Sequence, residues 1–434
     1  MHVEYLNRRK KLFSKMVSNS AALIFAAPEN NKKFYNYQYK QDKNFFYFTG
    51  FNESQALLIL IKRCDKNQCI LFNQKKNNNT AQWHGENLGQ KSALKKLHVN
   101  YSYPWNEIQK KLYLILNYLH TIYYPIGLEN LHDKIFFLAL KKIKLKSKNN
   151  KKFCIPNYIK DWRRIVYEMR LIKSKKEIFF IQKACHISSM AHLRAIKYCK
   201  VKRYEYELVA EIHHEFLRHG CLNNAYNTIV GSGYNSCILH YTNNNKQMKN
   251  NELVLIDAGC EYNNYVSDVT RTIPVNGIFS KEQSIIYNIV LDMLNLAIKL
   301  FKPDITIEIV SNQVIKLLLL RLKSIGLLDG TINNLMHTKT YKKFFMHKLC
   351  HWIGLSVHDC EYIGYSNNIK LKPGMTLSVE PGIYIPKNNN IPILYRGIGI
   401  RIEENILITS KGNKVLTKYL IKKPCEIEQI MQSV

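Results

Sequence analysis

No stretch of the 434 residues is apolar enough for long enough to cross a bilayer. Runs such as Ala21 to Ala27 and Ile135 to Leu140 fall far short of the ~20 residues a membrane helix needs. A disulfide framework is equally missing. The 11 cysteines are odd in number and scattered, with no CxxC pair and no regular spacing, which is how a chain of a reducing compartment uses cysteine; a cytoplasmic location is expected. The opening MHVEYLNRRKKLFSKM lacks the apolar core and small-residue cleavage site of a secretory signal and reads as a first helix. No period of 20 to 50 residues recurs, which sets aside solenoids and propellers. Acidic residues are scarce, 32 against 64 Lys+Arg, giving a net charge of +32. That excess alone would suggest nucleic acid or an anionic membrane. Its make-up argues otherwise. Only 13 of the 64 are Arg, and Lys travels with Asn everywhere, as in KNNKKF and NNNKQMKNN, instead of forming a localised stripe of Arg forks. The basic charge reads as a solvated surface, with no specific nucleic-acid partner and no membrane.

A hydrophobic content of 46% and a charged content of 22% are those of a soluble globular protein, and the length allows two or three domains with a core able to enclose a site. The runs AALIFA, ALLILI and QCILF have strand length, while KKLYLILNYL and KIFFLALKKIK have helical texture. An α/β N-terminal domain is expected over 1–165, loosening around Lys151, Lys152 and Pro156. An α+β domain is expected over 166–434. It opens on a capping box, Ser174 to Glu177, ahead of an amphipathic run to about Cys199. YEYELVAEIHHEFLRHG follows, ending at Gly220, and Ser280 to Gln283 caps a third helix that stops before Pro303. The clearest strands are 253–259, 376–382 and 399–409.

Charged residues stand at the ends of these strands. Asp257 closes the run Leu253-Val-Leu-Ile, where an uncompensated carboxylate would cost several kcal/mol. Asp268 follows 11 residues later, beyond a turn at Asn263-Asn264, so a hairpin would bring the two carboxylates together. Glu380 precedes the turn Pro381-Gly382. In 399–408, a period of two places Arg401 and Glu403 on one face. His347, His351 and His358 lie within twelve positions beside Trp352 and Gly354, and His240 is a fourth candidate. Each has an ordinary reading by itself: a strand-end Asp, a surface salt pair, an exposed Glu before a turn, a loop His. Together they are a constellation. Four carboxylates cannot converge unpaired, and two divalent cations with a neutral imidazole and a bridging hydroxide would balance them. Oxygen-rich ligation favours Mn²⁺, Co²⁺ or Fe²⁺ over a structural Zn²⁺ site.

The motifs LVLIDAGCEYNNYVSDVTRT, MHKLCHWIGLSVHD, TLSVEPGIYIP and GIGIRIEENILIT resemble, in order, those of the Xaa-Pro aminopeptidase (aminopeptidase P) family. YFTGFNESQALLIL and DWRRIVYEMRLIKS extend the resemblance over essentially the whole chain. It implies a pita-bread catalytic domain preceded by a smaller α/β domain of the creatinase/prolidase type. It further implies that Asp257, Asp268, His351, Glu380 and Glu403 hold two Mn²⁺ per subunit, with Co²⁺ or Fe²⁺ as substitutes. Asp268 and Glu403 would bridge the ions, Asp257 would hold one, and His351 with Glu380 the other; Glu380 would also relay a proton. His240, His347 and His358 would contact substrate and stabilise the tetrahedral intermediate, and Arg401 would support the ligands from behind. Trp83, in AQWHGENLGQ, resembles a tryptophan that reaches an active site across a subunit interface. A homo-oligomer, dimer or tetramer, follows, with the first domain serving oligomerisation and substrate access.

Two positions depart from the family pattern. Lys348 stands where glycine usually follows the first histidine, and Cys350 where a small hydroxyl residue is common. Neither removes a ligand. A lysine at a position needing positive φ would cost about 1 kcal/mol. The expected activity is removal of the N-terminal residue from peptides with proline at position two, by a hydroxide bridging two divalent metal ions. The rivals are a Xaa-Pro dipeptidase on the same fold and a non-catalytic pita-bread protein binding nucleic acid or protein. A metal-free creatinase-like enzyme would not need this carboxylate set.

Overall fold

Apolar runs broken by Lys- and Asn-rich turns fold into a sheet in the first part of the chain. Its strands are β1 (Ser20–Phe25), β2 (Leu57–Lys62), β3 (Asn67–Asn73), β4 (Tyr101–Pro104), β5 (Thr121–Tyr123) and β6 (Tyr158–Lys160). Their order is β4-β3-β2-β1-β5-β6. β1, β2 and β3 are antiparallel neighbours, pairing Leu23 with Ile59 and Ile59 with Ile70, while β4, β5 and β6 join in parallel. β1 and β2 are apolar at every position but Ser20 and Lys62 because helices cover both faces. Leu23, Ile59, Ile70 and Phe72 share one core with Leu112 and Leu116 of helix Ile108–Leu116 and with Phe136 and Ile143 of helix Asn130–Ser147. Ala22, Ile24, Leu58 and Leu60 point the other way and are as completely buried. Helices His2–Lys15 and Lys43–Thr49 pack on β2 and β1.

The computed structural model describes residues 2–29, 39–77, 81–83, 85–360, 369–388 and 390–433. The chain divides into two units, Met1–Met169 and Arg170–Val434. Among the described residues no helix is long and apolar enough to cross a membrane.

In the second unit the capping signals do what they encode. Ser174 and Glu177 form a reciprocal capping box on helix Lys175–Tyr198, and Ser280 with Gln283 forms another on Lys281–Leu300. Helix Glu205–Arg218 gives way to Gly220 at φ +79°. The strands are β7 (Asn223–Asn224), β8 (Ile229–Ser232), β9 (Leu253–Asp257), β10 (Cys260–Tyr262), β11 (Tyr265–Val266), β12 (Thr270–Pro274), β13 (Cys350–Trp352), β14 (Thr376–Val379), β15 (Gly382–Tyr384), β16 (Gly399–Arg401), β17 (Glu404–Ile408) and β18 (Asn413–Val415). They form small sheets ordered β11-β10-β7, β12-β9-β8, β13-β14-β17-β18 and β15-β16.

Two features differ from the sequence reading, and both shape the site. The hairpin expected between Asp257 and Asp268 is two nested hairpins. β9 pairs with β12, setting Asp257 opposite Thr270, while the Asn263-Asn264 turn, at φ +49° and +68°, closes the inner pair β10 and β11. The chain tightens at Gly259, where a Cβ would stand 2.0 Å from the Ser267 carbonyl oxygen, so only glycine fits. The strand expected over 399–409 breaks after Arg401. β16 pairs with β15 and β17 with β14, so the alternation that would put Arg401 and Glu403 on one strand face does not run through. At the break the Glu403 N–H donates to the Thr270 carbonyl at 3.1 Å, a bond to β12 in place of either sheet.

Candidate active site

Apolar strands push their polar ends into one cavity of about 1070 Å³. β9, buried throughout, ends in Asp257; Asp268 precedes β12; His351 is the middle residue of β13; Glu380 follows β14, where Pro381 stops the strand; Glu403 sits at the break between β16 and β17. All five line the cavity, as do His240, His347, His358 and Arg401. The single-strand geometry expected for Arg401 and Glu403 is therefore replaced by a crossover that delivers both to the same space. Trp83 belongs to the first unit and is 82% exposed.

His351 Nδ1 donates to the Trp352 carbonyl at 3.2 Å, which turns Nε2 toward Asp268 Oδ2 at 3.2 Å and Glu380 Oε1 at 3.7 Å. Its ring meets that of His358 edge-on, with centroids 4.7 Å apart. Arg401 holds Asp257 Oδ2 at 2.5 Å and donates to the Tyr384 hydroxyl at 2.8 Å and to Thr270 Oγ1 at 3.2 Å. Tyr226 donates to Asp257 Oδ1 at 2.6 Å. Glu403 accepts from Thr270 on Oε2 at 2.7 Å and from Ser378 on Oε1 at 2.5 Å. His347 Nδ1–H donates to the Lys348 carbonyl at 2.9 Å, so its Nε2 accepts from the Tyr384 hydroxyl at 2.8 Å.

This crowding shifts the titration of several groups in the cavity. Burial drives Glu403 well above the usual carboxylate range, and the charges of Asp268, Asp257 and Glu380 add to it. Burial raises Glu380 to about 7, although His351 and Arg401 pull it back. Asp257 also rises through burial, against the pull of Arg401. Burial would lower His351, but the bond to Asp268 and the charge of Glu380 outweigh it and lift it to about 9. His347 falls to about 3, through burial and then the charge of Arg401.

These directions test whether metal fits. Four carboxylates share the cavity; Arg401 is already committed to Asp257, His351 is raised against burial by Asp268 and Glu380, and the lining lysines, Lys342 and Lys348 among them, are exposed to solvent. Left to itself the protein must take up protons; divalent cations would supply the missing charge and leave the imidazole neutral. Ligand atoms of Asp268, His351 and Glu403 lie within 4.8 Å of one another, close enough to share an ion. Oxygen donors with one imidazole suit a hard or borderline divalent metal. The residues fit.

Lys348 is absent from the residues with positive φ, so the lysine standing in place of glycine is unstrained; it is exposed and lines the cavity. Cys350 is buried, and burial raises its thiol further, as suits a packing residue. Sequence reasoning missed Tyr226, Thr270, Ser378 and Tyr384, whose partners are distant in the chain. It also missed Glu205, a fully buried carboxylate that accepts from Ser232, Asn235, Tyr241 and the Lys246 N–H and so holds the loop carrying His240. No local pattern marks it, because its partners lie 27 to 41 positions away.

Residues 180–410 match metallopeptidase family M24, and residues 5–123 match the aminopeptidase P N-terminal domain. The Xaa-Pro aminopeptidase of Escherichia coli is 46% identical over 430 residues, 99% of this chain and 97% of the relative. Proline aminopeptidase P II from Yersinia pestis superposes with a TM-score of 0.97 at 44% identity, covering 100% of both chains. Zinc-substituted E. coli aminopeptidase P in complex with product gives 0.97 at 45% identity, covering 100% of this chain and 98% of that one. Motif order, buried carboxylate cluster and full-length similarity converge: the chain belongs to metallopeptidase family M24, as a member of its Xaa-Pro aminopeptidase (aminopeptidase P) branch, with the pita-bread catalytic fold.

Proposed function

We propose that this chain removes the N-terminal residue from peptides whose second residue is proline, using two Mn²⁺ held by Asp257, Asp268, His351, Glu380 and Glu403. The observation that carries the reading is the buried set Asp268, His351 and Glu403, flanked by Asp257 and Glu380 in one cavity. Bound there, the cations would polarise the scissile carbonyl and lower the pKa of water.

The chain's own groups supply the rest. A Xaa-Pro bond is a tertiary amide without an N–H, so its recognition cannot rest on a backbone donor, and its nitrogen must receive a proton to leave. Glu380 lines the same cavity, where a carboxylate can take a proton from water and return it to the leaving nitrogen. His347 is held neutral and oriented by the Lys348 carbonyl and Tyr384. His240 and His358 are exposed to the same cavity, placed to donate to substrate oxygen as charge develops. Arg401 orients Asp257 and, being paired with it, is a poor clamp for a proline carboxylate. Lys348, which lines the cavity, is the cation a dipeptidase could use instead, and the aminopeptidase reading is preferred on the full-length similarity, first domain included.

The first domain is assigned to oligomerisation and substrate access, with Trp83 reaching a neighbouring subunit's site in a homo-dimer or tetramer, and the enzyme to the cytoplasm. Dialysis against a chelator should abolish cleavage of a Xaa-Pro-Xaa tripeptide, and Mn²⁺ should restore it with two ions per chain by metal analysis. Full turnover in a demonstrably metal-free preparation would overturn the reading. Preference for Xaa-Pro dipeptides over tripeptides, lost on amidating the C-terminus, would turn it into a dipeptidase.

A further inference from the structure

Behind Asp268 and Glu403 lies a polar cluster with no solvent exposure, formed by Asn405 and Ser378. Asn405 Oδ1 accepts from the backbone N–H of Asp268 at 2.9 Å, and Nδ2 donates to the carbonyl of the same residue at 2.7 Å. One side chain thus pairs both backbone groups of Asp268, as a neighbouring strand would. Asp268 needs such a partner because it falls between the end of β11 and the start of β12. The second hydrogen on Nδ2 goes to Ser378 Oγ at 3.0 Å, and the remaining lone pair of Oδ1 accepts from the Cys185 thiol at 3.3 Å. All four hydrogen-bonding positions of the amide are in use.

The amide also sets the polarity of the next link. Nδ2 can only donate, so Ser378 Oγ accepts from it and its own hydrogen is left for Glu403 Oε1, 2.5 Å away. A continuous chain of bonds therefore runs from the backbone of Asp268, through Asn405 and Ser378, to the carboxylate of Glu403. It joins residues 137 and 27 positions apart through atoms that water does not reach. In such surroundings a fully satisfied network fixes geometry sharply, while losing one member leaves buried polar atoms unpaired.

We propose that Asn405 and Ser378 are positioning residues that fix Asp268 and Glu403 relative to one another for metal capture. This rests on the reading of those two carboxylates as metal ligands. The test is calorimetric titration of Mn²⁺ into the chelator-stripped full-length protein, with circular dichroism and thermal melting alongside. Asn405→Ala and Ser378→Ala should bind Mn²⁺ about 10- to 100-fold more weakly, the usual scale for a partner that orients a ligand. Ser378→Thr, which keeps the hydroxyl, should recover most of that affinity. Folded Asn405→Ala and Ser378→Ala proteins with wild-type Mn²⁺ affinity would overturn the proposal, as would Ser378→Thr binding no better than Ser378→Ala. If Asn405→Ala does not fold, the comparison of Ser378→Ala with Ser378→Thr decides by the same criteria. Asp268→Asn separates the two levels. Wild-type affinity in Asp268→Asn would remove the ligand reading itself, whereas loss there beside unchanged affinity in the other variants would remove only the brace.

Discussion

β1 of the first unit buries Ala21, Ala22, Leu23, Ile24 and Phe25, whereas β12 of the second, buried as thoroughly, carries Thr270, Arg271 and Thr272. The first strand is held by apolar area removed from water, worth roughly 25 cal/mol per Å² and indifferent to direction. The second is held by matched donors and acceptors. Arg271 donates to the carbonyls of Thr270, Glu403, Leu420 and Ile421 and to the carboxylate of Glu404. Both members of the Arg271–Glu404 pair are fully buried. A buried ion pair of this kind gives little net stability against an apolar replacement, since desolvation offsets the attraction; it fixes position. The sheet of the first unit is built for burial, and the strands around the cavity are built to hold charge in place.

Changes at charged positions should therefore break function or leave a buried charge poorly compensated, and changes at apolar positions should cost stability alone. The largest effect is expected for Glu380→Ala, which takes away a proposed ligand together with the proton relay. Turnover of a Xaa-Pro-Xaa peptide should fall about 10³- to 10⁴-fold with loss of bound metal, while the melting temperature of the chelator-stripped variant matches that of the chelator-stripped wild type. Near-wild-type kcat would show that Glu380 has no part in the reaction.

Asp359→Asn comes next. Its carboxylate, buried between Arg170 and Lys173, is opposed by burial but held below the usual range by those two cations. Removing it takes from buried Arg170 and Lys173 the carboxylate they share, at a cost of about 3–5 kcal/mol. The sign follows from the depressed pKa: the contribution is present above the ordinary carboxylate value of 3.8 and is lost as pH falls through the lower folded value. Denaturant unfolding should show a wide gap between wild type and variant at pH 7 that closes in acid. A gap that does not change with pH would refute the assignment.

Leu23→Ala, in the apolar core of the first unit, should cost about 2–5 kcal/mol of stability by cavity formation. Metal content and kcat of the folded protein should stay at wild-type levels; a fall in either would mean that the contrast between the units is overdrawn. His358→Ala is the smallest of the four. It should keep its metal and lose roughly 10² in kcat, the scale of one transition-state donor. Metal loss in that variant would reassign His358 as a ligand.

Local chemistry in the sequence determined β1, β2 and β3 of the first sheet, the Ser174 and Ser280 capping boxes, and the type and order of the charged residues at strand ends. These are legible because each depends on neighbours within a few positions: a period of two, a cap three residues from its partner, a carboxylate following an apolar run. The tertiary structure alone decided that β9 pairs with β12 while β10 and β11 pair within, and that the chain changes sheets between Arg401 and Glu403. It alone decided that Tyr226, Thr270, Ser378, Tyr384 and Asn405 converge on the charged residues of the cavity. Thr270 meets Glu403 across 133 positions and Asn405 meets Asp268 across 137. Such bonds are set by sheet register, which no local pattern records, because any polar side chain brought to that buried spot must find its partner there or not be buried at all.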